Sequence, residues 1–165
     1  MNPRMIDVLV LHPSDYDGKP WSIETINGDD YREIVRLVQG NLGTCSLPQS
    51  LHLRGFFAYC DDDANIRDDT APNEWSAWLG QAKLRGPIVI LRADETGTEQ
   101  GLDQGDVLWW TDYLMGPPSA EAFKSAMQSA LWWQAHPSGF SIESVPDAET
   151  LLNKLGLAEE NEVDW

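Results

Sequence analysis

The segment Pro87–Ala93 (PIVILRA) sets the tightest limit on what this chain can fold into. Four consecutive apolar residues, Ile88 to Leu91, follow a Gly-Pro break and run into the polar stretch 94–101. Three of the four are β-branched, and such side chains pack well on a pleated surface. The run therefore reads as the central strand of a sheet. A central strand needs neighbours, and the chain supplies them. Arg4–His12 (RMIDVLVLH) is a second β-branched-rich strand. The turn-forming stretch His12–Pro20 separates it from Trp21–Ile26, which alternates apolar and polar. The two make a hairpin with a long loop. Gly55–Cys60 is a further buried strand.

Helices fill the intervals. Asp29 or Asp30 caps a helix to about Gln39, with Tyr31, Ile34, Val35 and Val38 at helical spacing and Gly40 as its stop. Gly40-Asn41-Leu42-Gly43 reads as a helix stop and turn. Leu47-Pro48 and Leu51-His52-Leu53 lead into the strand at 55, with His52 as an outward-facing strand residue. The spacing of Trp75, Trp78 and Leu79 predicts a helix over Asn73–Leu84, and Asp94–Gly101 reads as a polar turn. Asp103 caps a helix to Met115, which Gly116-Pro117-Pro118 breaks. Ser119 caps another from Ala120 to Ala135, with Glu121 one position short of a capping box. A short strand at Phe140–Val145, a short helix at Asp147–Leu155 and an acidic tail, 158–165, complete the expectation.

The expected fold class is α+β, with a mixed, mostly antiparallel sheet of strands near 4–12, 20–26, 54–60 and 87–93. The expected division is a core domain at 1–115 and a helical C-terminal extension at 116–165 packed on it. With 42% hydrophobic residues the chain builds a core without metals or disulfides. Cys45 and Cys60 are expected as two reduced thiols.

Charge narrows the partners. Net charge is −16. Residues 1–93 hold 13 acids and 9 bases, whereas residues 94–165 hold 14 acids and 2 bases, Lys124 and Lys154. Such a surface repels nucleic acid phosphates and anionic lipid. Direct nucleic-acid or membrane binding is not expected, and a basic protein partner is. No apolar run approaches the roughly 20 residues that span a bilayer. Met1–Asp7 lacks a basic region followed by an apolar stretch, so the expected compartment is the cytoplasm.

The order of landmarks resembles a family of small proteins of unknown function from bacteriophages, plasmids and other mobile elements, often of actinobacteria. The resemblance covers roughly residues 5–115. It rests on the N-terminal hairpin, the helix followed by Leu47-Pro48, and the strand Phe56–Cys60 with a polar turn and Ala71-Pro72-Asn73. Its last part is Gly86-Pro87-Ile88-Val89-Ile90 leading to Asp94-Glu95-Thr96-Gly97 and Gly-Leu-Asp-Gln-Gly-Asp at 101–106. The family has no established activity, so it implies no catalytic residue. This chain departs from it in an enlarged acidic turn at 61–69 and in everything from about 116 onward.

Two constellations invite a chemical reading. Asp61, Asp63, Asn65 and Asp69 match positions 1, 3, 5 and 9 of a calcium-binding helix-loop-helix loop. Position 6 is Ile66 instead of Gly, and position 12 is Pro72 instead of a bidentate Glu. A solvated turn accounts for these acids as well. The second constellation is the pair of tryptophan doublets, Trp109-Trp110 and Trp132-Trp133. In the first, one ring faces inward with Leu114 or Tyr113 and the other lies about 100° around the helix. Core anchoring explains both doublets. An aromatic patch ringed by Asp103, Asp106 and Asp112 for binding a protein is the functional reading. His12, His52 and His136 lack zinc-ligand spacing, and the chain has no Gly-x-Ser-x-Gly, phosphate-loop or dinucleotide fingerprint. No cofactor is expected. The expected function is that of a non-enzymatic phage or mobile-element accessory protein that binds another protein. One alternative is an acidic DNA mimic that inhibits a DNA-binding protein. The other is a metal-dependent hydrolase using the 61–69 acids.

Overall fold

A computed structural model of the chain describes residues 4–63 and 71–135. Its strands are β1 (Met5–Leu11), β2 (Trp21–Asn27), β3 (Leu42–Cys45), β4 (Phe56–Asp61), β5 (Ile88–Ala93) and β6 (Glu99–Gln100). They form one sheet in the order β2-β1-β5-β4-β3, with β6 also on β5, and every pairing is antiparallel. The helices are α1 (Tyr31–Val38), α2 (Gln49–Leu53), α3 (Gln104–Met115) and α4 (Ala120–Ala135), with a 3₁₀ helix at Glu74–Leu79. The α+β class and the four expected strands stand. No helix among the described residues is long and apolar enough to cross a membrane. The segments expected at 140–145, 147–155 and 158–165, with Asn65, Asp69 and His136, lie outside the described residues.

The sheet is buried on both faces, and the alternation of side chains sorts them. Ile88 and Ile90 join Leu9, Leu11, Phe56 and Ala58 in one cluster, capped by Leu51 of α2, Leu79, and Trp110 and Leu114 of α3. Val89 and Leu91 join Ile6, Val8, Val10 and Ile26 in the other, under Ile34, Leu37 and Val38 of α1. The four side chains Ile88 to Leu91 are all fully buried. α4 packs over the 3₁₀ helix through buried Ala122 and Ala126, and Ser125 Oγ donates to the carbonyl of Gly80 at 2.8 Å.

Five local expectations change. Gly40–Gly43 holds more than a turn: the left-handed residue that ends α1 is Gln39 (φ 61°), and β3 begins at Leu42. Gly43 interrupts any apolar alternation there, so pairing with β4 makes the strand. Gly40 has its own constraint, because a Cβ there would lie 2.2 Å from the Asp61 carboxylate. Within α1, Tyr31 is exposed at the first helical position, and the buried stripe is Ile34, Leu37 and Val38. His52 is an exposed helical residue of α2, not a strand residue. Pro48, at φ −54°, starts that helix, and Glu121 of α4 accepts hydrogen bonds from Ser50 N at 3.1 Å and Ser50 Oγ at 2.6 Å. The helix expected over Asn73–Leu84 is only the 3₁₀ turn. Its ends would stand about 17 Å apart in an α-helix, yet Asn73 N donates to Leu84 O at 2.8 Å. Gly80, at φ 71°, turns the chain back. The turn at 94–101 contains β6, which extends β5 beyond its pairing with β1.

Because Ile90 is fully enclosed in the central strand, Ile90→Ala is expected to cost about 3 kcal/mol in chemical denaturation.

Candidate functional site

α3 carries most of the residues singled out from sequence, and its N-terminus is tied to β5. Asp103 Oδ1 accepts from Asp106 N at 2.8 Å, and Asp106 Oδ2 accepts from Asp103 N at 3.0 Å, a complete capping box. Asp106 also takes both branches of the Arg92 guanidinium, Nε at 2.7 Å and Nη2 at 2.8 Å. The remaining Nη1 donates to Arg54 O at 2.8 Å, and the guanidinium carbon lies 4.9 Å from the Phe56 ring centre. Burial disfavours the Asp106 charge, but the Arg92 guanidinium and the Asp103 N–H outweigh it and hold the carboxyl below its ordinary range. Asp106, expected at a binding surface, is thus an internal strut. Asp103 is exposed but spends its carboxylate on the cap.

The first tryptophan doublet divides as its helical offset requires. Trp110 is 1% exposed and packs edge-on to Phe56 at 5.2 Å, so it is a core residue, not a binding one. Its Nε1 has no hydrogen-bond partner among the described residues. Trp109 is half-buried, stacked on Tyr113 at 5.1 Å, with the Arg54 guanidinium 4.5 Å from its centre. Tyr113 is anchored by its hydroxyl, which donates to Trp78 O at 2.6 Å. Trp132 and Trp133 are both half-buried and edge-to-face at 5.0 Å, with Lys83 Nζ 4.8 Å from the Trp133 ring. Both doublets are therefore largely engaged within the fold. Asp112 alone of the three predicted aspartates is exposed and free of that network. On either side of it along α3 stand Leu108, 65% exposed, and Met115, 80% exposed. These two were missed from sequence. Their signal was that the apolar residues of α3 are spread around the helix instead of gathered on one stripe, more than one buried face can use.

The acidic turn starts inside the sheet. Asp61 is the last residue of β4 and is buried, and its Oδ1 accepts from the N–H groups of Asn41 and Asp63, each at 3.1 Å. Asn41 Nδ2 donates to Asp63 in turn. The segment that enters the turn is a strand, so the helix-loop-helix frame is not present on that side. Among the described residues no three His, Cys, Asp or Glu side chains are grouped to hold a metal. Cys45 and Cys60 are free thiols, both buried, and the hydrogen bond to Cys60 together with burial pushes the Cys45 thiol well up.

A cleft that no motif announced lies between the loop after β1 and the 3₁₀ helix. Its walls include His12, Tyr16, Glu74, Trp75 and Trp78, and its volume is about 220 Å³. His12 stacks on Tyr16 at 3.7 Å, and its Nε2 lies 2.8 Å from Ser22 Oγ. Burial lowers the His12 pKa from 6.5, against the opposing charge of Glu24.

Family models, curated proteins and solved structures were compared with the chain, and none matches it.

Asp106→Ala removes the ion pair and half of the capping box together, and is expected to cost about 2–4 kcal/mol in urea unfolding; Asp112→Ala is expected to change stability by less than about 0.5 kcal/mol. The folded state protonates His12 less readily than the unfolded chain does. Stability from this residue is therefore lost as pH falls through 6.5 toward the lower folded value, and His12 contributes no pH dependence above that range. Relative to His12→Gln, the wild-type melting temperature is expected to drop on acidification below 6.5 and to keep a constant offset above it.

Proposed function

We propose that this chain is a non-enzymatic accessory protein of a phage or mobile element that acts by binding a basic protein, and that the outer face of α3 is its docking surface. The observation that carries the reading is the Leu108, Asp112 and Met115 stripe. Two large apolar side chains stand 65% and 80% exposed on one helix, with an exposed carboxylate between them. The spacing i, i+4, i+7 puts all three on one line along the helix. A rigid helix anchored by Arg92 presents that line already ordered, which reduces the entropy lost on binding. Charge indicates the partner. Residues 94–135 hold seven acids against Lys124 alone. Such a field favours encounter with a basic surface, while Leu108 and Met115 supply contact area. The phage or mobile-element assignment is supported by the order of landmarks over residues 5–115.

The test compares wild type with a Leu108→Asp/Met115→Asp variant as immobilised baits for bacterial lysate at low salt. The expected outcome is a protein retained by wild type, absent from the variant, while the two melt at the same temperature within about 2 °C. Equal recovery by both would overturn the assignment of the α3 face. Release of the captured protein by duplex DNA would instead support mimicry of nucleic acid.

A further inference from the structure

The cleft between the loop after β1 and the 3₁₀ helix takes no part in the α3 face, and its chemistry is different. We propose that it binds one organic cation, the ammonium or guanidinium head of a lysine or arginine side chain on the basic partner. The use of the cleft rests on the protein-binding reading, but its ligand chemistry can be tested alone.

Four features carry the proposal. First, the walls are aromatic. Tyr16, Trp75, Trp78 and the imidazole of His12 line it, and Trp75 and Trp78 meet edge-to-face at 5.0 Å. Second, both indole N–H groups are already committed to backbone carbonyls, Trp75 to Pro20 O at 3.2 Å and Trp78 to Gly116 O at 3.0 Å. These bonds fix the rings and leave their π systems, not their donors, for a guest. Third, the acidic wall residue among the described residues is Glu74, which is exposed and has no hydrogen bond or salt bridge among them. Among the described residues no Lys or Arg lines the cleft; Lys19 lies on a separate cleft with Trp21 and Ile23. Fourth, the protein pairs its own cations with rings elsewhere: Arg54 with Trp109 at 4.5 Å, Lys83 with Trp133 at 4.8 Å and Arg92 with Phe56 at 4.9 Å. The rings of the cleft have no such cation among the described residues.

Size selects the guest. A volume of about 220 Å³ falls below the roughly 300–1,000 Å³ of sites for drug-sized molecules, and suits the end of one side chain. A ring quadrupole and a carboxylate together favour a positive charge with apolar flanks. No one such contact suffices; the rings and the carboxylate acting together correspond to a Kd on the order of 10 mM for an isolated side chain.

The experiment follows the NMR shifts of the Trp75 and Trp78 indole N–H groups. The probes are the blocked amino acids N-acetyl-lysine, N-acetyl-trimethyllysine and N-acetyl-arginine methylamides, with N-acetyl-norleucine methylamide as neutral control. Saturable shifts with the cations and none with norleucine are expected. Glu74→Gln and Tyr16→Ala, both at exposed positions, should each weaken binding about fivefold without lowering the melting temperature. Shifts that norleucine matches, shifts that do not saturate, or unchanged binding by both variants would overturn the proposal. The Leu108→Asp/Met115→Asp variant separates the two readings. It should keep its cation response while losing the captured protein; cation binding absent in a wild type that still captures its partner through α3 would remove the cleft proposal alone.

Discussion

The structure depends on one strand being enclosed on both faces. β5 offers no polar position between Ile88 and Leu91, so leaving either face in water would cost roughly 1.5–3 kcal/mol for each side chain exposed. The sheet therefore needs a cover on each side. α1 supplies one through Ile34, Leu37 and Val38. On the other side no single element suffices, and Leu51, Leu79, Trp110 and Leu114 share the task. That second layer is assembled from short pieces, and both proposed surfaces lie on it. The α3 stripe is the reverse of the face that buries Trp110 and Leu114. The aromatic cleft is the outer margin of the 3₁₀ turn whose Leu79 is in the core.

Electrostatics position what packing leaves undecided. Arg92 is the residue at which β5 leaves the apolar core, and it is one-third exposed. Its bidentate bond to Asp106 joins the end of β5 to the start of α3 and sets the helix at a fixed place over Phe56. The same carboxylate closes the capping box, so one side chain fixes both where α3 begins and where it is attached. The consequence for function is that most of the acidic and aromatic character near the start of α3 is structural. What reaches solvent is narrower than composition suggests.

Local signals and long-range ones fared differently. β1, β2, β4 and β5 were legible because β-branched runs and alternation are local. α3 was legible to its first residue, since Asp103 and the Gly-Pro-Pro stop are local as well. The elements that were misread are those decided at a distance. β3 exists through its register with β4, α2 takes a cap from Glu121, and the 3₁₀ turn is closed by Asn73, whose amide reaches Leu11 O at 3.0 Å and Gly86 O at 2.9 Å. The site followed the same rule. The inward and outward split of Trp109 and Trp110 could be read from helical offset. The cleft could not, because Trp75 meets Pro20 across 55 residues of chain and no spacing within either segment records the meeting.

The pairing of β1 with β5 also orders events in time. Leu9 faces Ile90, so a chain emerging from the ribosome can close the β1–β2 hairpin long before the other edge of β1 has its neighbour. β3 and β4 are in the same position, complete as a pair and without their inner neighbour until residues 88–92 arrive. Until β5 docks, each of these ladders has an apolar inner edge without its neighbour. Closing them is the late, non-local step that slows folding and leaves sticky edges exposed while it is pending. A chain cut short before β5 would leave both inner edges uncovered, and the docking of β5 covers them together.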